Sequence, residues 1–180
     1  MFTFFGGYFY SVSPYDLNPT KILQAPSSEH LFGTDRLGRD ILARIIEGGQ
    51  ISLIIGFLSA SITSLIGLFI GINGGYFKGN IDKSIVILID LFLTFPTFFL
   101  LLALVSYVDA SMFVIIFILS ITGWMGTARL IRSESFAVGN KPYIKVLKLA
   151  GVSNTKIIFK YFTPLIAPIV LVSFTFGVGG

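Results

Sequence analysis

Four stretches of this chain carry almost no charge, and that feature sets what the polypeptide can fold into. Gly48 to Phe77 is thirty residues without a charged side chain. Ser84 to Val108 is twenty-five with one, Asp90; Ala110 to Ala128 is nineteen with none; Tyr161 to Gly180 is twenty with none. A hydrocarbon core ~30 Å thick takes about 20 helical residues to cross. Hydrocarbon offers backbone N–H and C=O groups no outside partner, so the crossing segments are helices rather than open strands. A barrel would need ~10-residue segments of alternating polarity, whereas these stretches are apolar all round. The expected fold is all-α, a polytopic transmembrane helical bundle with four spans.

Composition narrows the function. Only 12% of residues are charged and 54% are hydrophobic, against about 25% charged in soluble domains. That excludes an ordinary cytosolic enzyme, a disordered chain and a nucleic-acid-binding module. The absence of cysteine removes disulfides, thiolate zinc sites and cysteine nucleophiles, and the single histidine, His30, cannot build a metal site alone. The spans hold no serine–histidine pair and no paired carboxylates, so an intramembrane enzyme is set aside and no catalytic or metal-binding residue is assigned. Met1 to Val12 is apolar but too short to cross and lacks a basic leader region. It reads as the end of a missing first span or an interfacial segment, and Gly179-Gly180 as a cut inside another span.

Charge sets the orientation. Residues 127–163 carry seven basic side chains against Glu134, a net +6, which places this loop in the cytoplasm. Counting back, Lys78 to Lys83 is cytoplasmic too, and residues 1–47, net −1, are external. The chain thus divides into an external segment, 1–50, ending in an amphipathic helix, and a transmembrane domain, 51–180.

Within the external segment, His30 to Asp40 (HLFGTDRLGRD) reads as a turn feeding a helix whose Ile41, Leu42, Ile45 and Ile46 share a face. Asp40 and Arg44 stand four apart, a spacing that allows an ion pair. The run is either a solvated helix start or a docking or gating element at the external mouth. In the first span Gly56, Ala60, Ser64, Gly67 and Gly71 recur at three- and four-residue intervals, the spacing that lets helices approach closely. Asp90, inside the second span, needs a basic or amide partner facing the bundle or water. Pro96 follows it and is expected to kink the helix.

The basic loop has its own architecture. Pro142 is suited to the first position of a helix that runs Tyr143 to Ala150 and stops at Gly151. Ser153 can cap a second helix reaching about Phe162. On the first helix Tyr143, Val146, Leu147 and Ala150 share an apolar face. This helix–glycine–helix corner suits either an anionic lipid surface or a groove in a partner protein.

Five runs in order carry a family resemblance: His30 to Asp40; Gly74 to Asp82 (GGYFKGNID); Asp90 with Phe95-Pro96; Thr122 to Arg132 (TGWMGTARLIR); and the basic corner. The chain resembles the inner-membrane permease subunits of binding-protein-dependent ABC importers, of type I architecture. It is most similar to the C-type permease of the dipeptide, oligopeptide and nickel group. The resemblance implies an ATPase-docking loop over 129–163, with Gly151 on the family's loop glycine and Ile157, Ile158 and Pro164 on later positions. Lys145 stands where the family has an acidic residue, and Val146 and Leu147 where it has alanines. It further implies a second permease subunit, two ATPase subunits carrying ATP and Mg, an extracytoplasmic substrate-binding protein and no cofactor on this chain. The location implied is a prokaryotic cytoplasmic membrane and the cargo peptides, nickel or a related small solute. A different class, an autonomous secondary transporter or channel coupled through Asp90, would need no ATPase.

Overall fold

The computed structural model describes residues 6–7, 9–94, 96, 99, 102–103, 106 and 111–179. Among these the structure is helical, the β pairing being an isolated bridge between Thr34 and Asp40. A 3-10 turn, Pro19–Lys21, precedes the longer helices, which are in order α1, Ile41–Phe77; α2, Gly79–Thr94; α3, Met112–Gly139; α4, Pro142–Leu149; and α5, Asn154–Gly179. The chain forms two compact units that divide between Ile54 and Ile55, within α1.

Among the described residues three helices, α1, α3 and α5, are long and apolar enough to cross a membrane, so the expected four spans become three. The second apolar stretch contributes α2, whose sixteen residues reach ~24 Å at 1.5 Å per residue, short of the ~30 Å needed. Pro96 lies outside regular helix and exposed, two residues beyond the end of α2. A proline has no N–H to donate and disfavours helical backbone in the residue before it. Phe95 and most of 97–110, where the expected kink would show, lie outside the described residues.

The first unit is a knot of loops around the start of α1. Asp40 precedes the helix, and its Oδ1 accepts from the Ala43 N–H at 2.7 Å, an N-cap. The expected Asp40–Arg44 pair does not form. Arg44 Nη1 reaches Asp35 Oδ2 at 2.5 Å instead; the Asp40 carboxylate is taken up by the cap at Oδ1 and by Tyr10 and His30 at Oδ2. Leu42, Ala43 and Ile46 are buried, while Ile45 is half exposed. Two glycines in this unit cannot be replaced without moving backbone. Gly33 and Gly38 have φ of +74° and +73°, and a Cβ would stand 2.3 Å from Gln24 O and 1.9 Å from Asn18 O respectively.

In the second unit the small-residue stripe of α1 serves two neighbours. Toward α5, a Cβ on Gly56 would lie 2.9 Å from Val178 O, and one on Gly177 would lie 3.1 Å from Ala60 Cβ. Toward α3, a Cβ on Gly67 would lie 2.7 Å from Thr127 Cγ2, and one on Gly71 2.8 Å from Ala128 O. Ala60 and Ser64 are buried on the same stripe. The run continues to Gly75, which the periodicity reading stopped short of. Larger side chains fill what the glycines leave: Trp124, Met125 and Ile89 pack in one cluster, and Ile72, Ile131, Phe162 and Ile166 in another.

The separate second corner helix and final span form one helix. α5 begins as α-helix, widens to a π-turn over Ile158–Phe162, and resumes as α-helix from Thr163 to Gly179. Pro164 supplies the reason. It has no N–H for Lys160 O, and its ring would press on that carbonyl in an unbroken α-helix. The wider turn avoids that clash, and the Thr163 N–H and Oγ1 both turn to Ile158 O.

Candidate functional site

The corner between α3 and α5 is built around a glycine-closed helix end. α4 starts at Pro142 after Lys141 in extended conformation. At its other end the Gly151 N–H bonds Lys148 O and the Val152 N–H bonds Leu147 O, both at 3.1 Å. This closure needs a left-handed residue, and Gly151 has φ +74°. Nothing lies within 4 Å of a Cβ placed there, so the backbone conformation rather than space selects glycine. Ser153 stands at the start of α5, but its side chain makes no capping bond; the expected cap is positional only.

One face of α4 is inward and one is bare. Ile144 is fully buried and packs in the cluster with Ile157 and Phe162, with Leu147 half-buried against them. The bare face is Tyr143, Val146, Leu149 and Ala150; Val146 is 62% exposed and Leu149 88%. The expected apolar face is thus shifted. Leu147 turns toward the core because it stands three residues after Ile144, on the same side of the helix, and Leu149 takes its place. Pro142 and Lys145 are exposed, Ile157 is buried in the core and Ile158 is half-buried.

The corner is anchored to the end of α1 by contacts that hydrophobic periodicity does not reveal. The Tyr76 hydroxyl donates to Asn154 Oδ1 at 2.6 Å. Lys78 Nζ donates to Asn140 Oδ1 at 2.7 Å, holding the residue that ends α3. Lys148 Nζ stands 4.0 Å from the centroid of the Tyr76 ring, a cation–π contact; burial, then the nearby Lys78 charge, lower its pKa. Beside this anchor Arg132 grips Asp82 through both Nε and Nη2, a forked pair between α3 and the first turn of α2. Asp90 has the partner expected of it: Arg129 Nη2 donates to Asp90 Oδ1 at 2.6 Å.

The first unit holds a second polar constellation. Tyr10 donates to Asp40 Oδ2 at 2.7 Å, and His30 Nδ1 lies 2.9 Å from the same oxygen. Burial acts to raise the Asp40 pKa, but hydrogen bonds from the Ala43 N–H, Tyr10 and His30 outweigh it and hold the carboxyl below its ordinary value. Asp35 behaves alike. Burial opposes ionisation, yet the Leu37 and Arg39 N–H groups and the Arg39 guanidinium bring it down to about 2. The HLFGTDRLGRD run therefore closes a loop on the helix start. Among the described residues no group of three metal-ligating side chains is brought together.

These features define a multi-pass helical membrane protein whose polar elaboration is concentrated where helices end. The chain belongs to the family of binding-protein-dependent transport system inner membrane components, whose sequence pattern it matches over residues 63–180. It is 32% identical over 166 residues to the oligopeptide transport system permease protein OppC of Bacillus subtilis (strain 168), covering 91% of this chain and 54% of that protein. It is 34% identical over 164 residues to the dipeptide transport system permease protein DppC of Alkalihalophilus pseudofirmus, covering 91% and 54%. Against OppC of Haemophilus influenzae the identity is 33% over 150 residues, covering 82% and 48%. The chain spans about half the length of the curated relatives it matches.

Proposed function

We propose that this chain belongs to the membrane-embedded subunit of an ATP-driven importer that moves short peptides across the cytoplasmic membrane. The corner docks on an ATPase subunit. The substrate class follows the dipeptide and oligopeptide systems named for its relatives. The observation that carries the reading is the bare face of α4, with Tyr143, Val146, Leu149 and Ala150 outward and Ile144 locked into the core. An apolar helix face on a rigid mount suits a groove in a protein. The complete assembly would hold a second permease, two ATPase subunits with ATP and Mg, and an external binding protein that delivers the peptide. Residues 1–50 face outward, and the docking loop 129–163 faces the cytoplasm.

In the full-length protein, Val146→Asp and Leu149→Asp are each expected to leave membrane insertion intact and lower co-purification of the ATPase at least tenfold. Truncating or charging a central interface residue commonly costs ~2 kcal/mol or more, and ~1.4 kcal/mol is tenfold. Undiminished co-purification of both variants refutes docking through this face. Orientation has its own check, helped by a sequence without cysteine. Single cysteines at positions 28, 80 and 154, exposed to an impermeant thiol reagent on intact cells, are expected to label only at 28. Labelling at 154 reverses the orientation.

A further inference from the structure

We infer that Tyr76 is a positioning residue that fixes the corner to the span α1, so that a displacement of α4 is passed into the membrane rather than absorbed at the corner. The inference rests on the docking reading above and names the residue through which that site acts. Three contacts from two elements, α4 and α5, meet on this one side chain. Its hydroxyl donates to Asn154 at the start of α5, its ring lies beneath Lys148 of α4, and its edge packs against Phe162 in the π-turn at 5.0 Å between centroids. Tyr76 is 3% exposed although it lies one residue from the end of α1. A tyrosine sequestered at a helix terminus is held by the parts around it.

The chain next to Tyr76 reinforces the joint. Gly75 lets α1 lie directly against Ser135 and Arg132 of α3. Lys78 ties to Asn140. The end of α1 therefore touches the end of α3, α4 and the first turns of α5. By contrast, the connection from α4 to α5 runs through Gly151, which has open space around it and no side chain to stiffen it. Ile144 fastens α4 to the apolar cluster; the Tyr76 contacts add the polar, directional tie from α4 and the start of α5 to the end of α1. The bond to Asn154 is the polar and directional part of the joint; the ring contacts supply the apolar remainder.

The test separates positioning from mere support. Tyr76→Phe removes the hydroxyl and keeps the ring, and Asn154→Ala removes the acceptor. In the full transporter, both variants are expected to keep wild-type abundance and ATPase co-purification. Both are expected to lower peptide uptake per ATP hydrolysed by about 2- to 10-fold, the range of one hydrogen bond at ~0.5–1.5 kcal/mol. The double variant is expected to be no worse than either single one, since both break the same bond. Wild-type uptake per ATP in Tyr76→Phe overturns the inference, and so does additivity in the double variant. A loss confined to abundance overturns it in favour of a purely structural role. Failure of the wild-type chain to bind the ATPase at all would instead remove the docking reading, a result the co-purification arm records separately.

Discussion

Replacing Gly75 with alanine is expected to be among the most damaging single-methyl changes in the second unit, costing upward of the ~1–3 kcal/mol typical of overpacking. A Cβ there would stand 2.2 Å from Ser135 Cβ, 2.8 Å from Arg132 O and 2.9 Å from Phe136 N. Two of those neighbours are backbone and cannot rotate away. α1 and α3 must then separate, and the Tyr76 and Lys78 contacts just beyond are pulled out of register. Membrane abundance and the midpoint of thermal unfolding in detergent read the effect. Gly48→Ala is the control. No atom lies within 4 Å of its added Cβ, and alanine is favoured over glycine in a helix by ~0.5–1 kcal/mol, so the control is expected to be neutral or slightly stabilising. Ser135→Gly is expected to rescue Gly75→Ala only in part, because the Arg132 carbonyl remains in place. Equal abundance and midpoint for Gly75→Ala and wild type would mean that the two helices do not meet at this position.

The second large effect concerns Asp40. Asp40→Ala removes an N-cap, at ~0.5–2 kcal/mol, and strips a shared acceptor from Tyr10 and His30. An orphaned buried donor costs ~1–3 kcal/mol. The knot is expected to loosen by about 2 kcal/mol or more, read as faster amide exchange from Ala43 back through the 30–40 loop. Asp40→Asn keeps the cap and is expected to lose less. The pH dependence has a definite sign. Because the folded carboxyl lies below its ordinary value, its contribution is fully present above the unfolded value of about 3.9. It is lost as pH falls through the lower folded value. Protection in this loop, meaning exchange relative to the intrinsic rate at each pH, is therefore expected to be flat from neutral pH to about 4 and to fall only below it, with Asp40→Ala showing no such step. A fall in protection beginning near pH 6 would sink this account of the knot.

The parts of this fold that follow from long-range composition were legible in the sequence. Uninterrupted apolar stretches gave the spans α1, α3 and α5 because bilayer thickness imposes a length that few other structures satisfy. The stripe of Gly56, Gly67 and Gly71 pointed to close helix contacts, since small residues at helical spacing have little other use. Gly151 was legible because a left-handed residue between two helical patterns almost demands glycine. The misreadings arose where one side chain chooses between two local partners. Asp40 had both Arg44 and the Ala43 N–H within reach, and the cap won because a helix start always leaves amides to satisfy. Leu147 and Leu149 are equally apolar, and only the position of the core decides which turns inward. Tyr76 and Asn154 are 78 residues apart, and no periodicity connects them. The second apolar stretch gives sixteen described helical residues before Pro96, and apolar length alone does not mark that boundary.

The π-turn over Ile158–Phe162 makes α5 a continuous rod with a phase change inside it. Relative to α-helix, such a turn accommodates one extra residue, and each residue in an α-helix advances the face by ~100°. The side of α5 that presents Ile157 to the corner and the side that presents Ile166 to the span are thus set by two separate counts. Removing one residue between 158 and 162 would let the turn return to α-helix with both halves still facing their neighbours, whereas removing one from the α-helical part after it would swing the far half by about 100°. The turn thus absorbs a residue that an unbroken α-helix would have turned into a misalignment of corner and span.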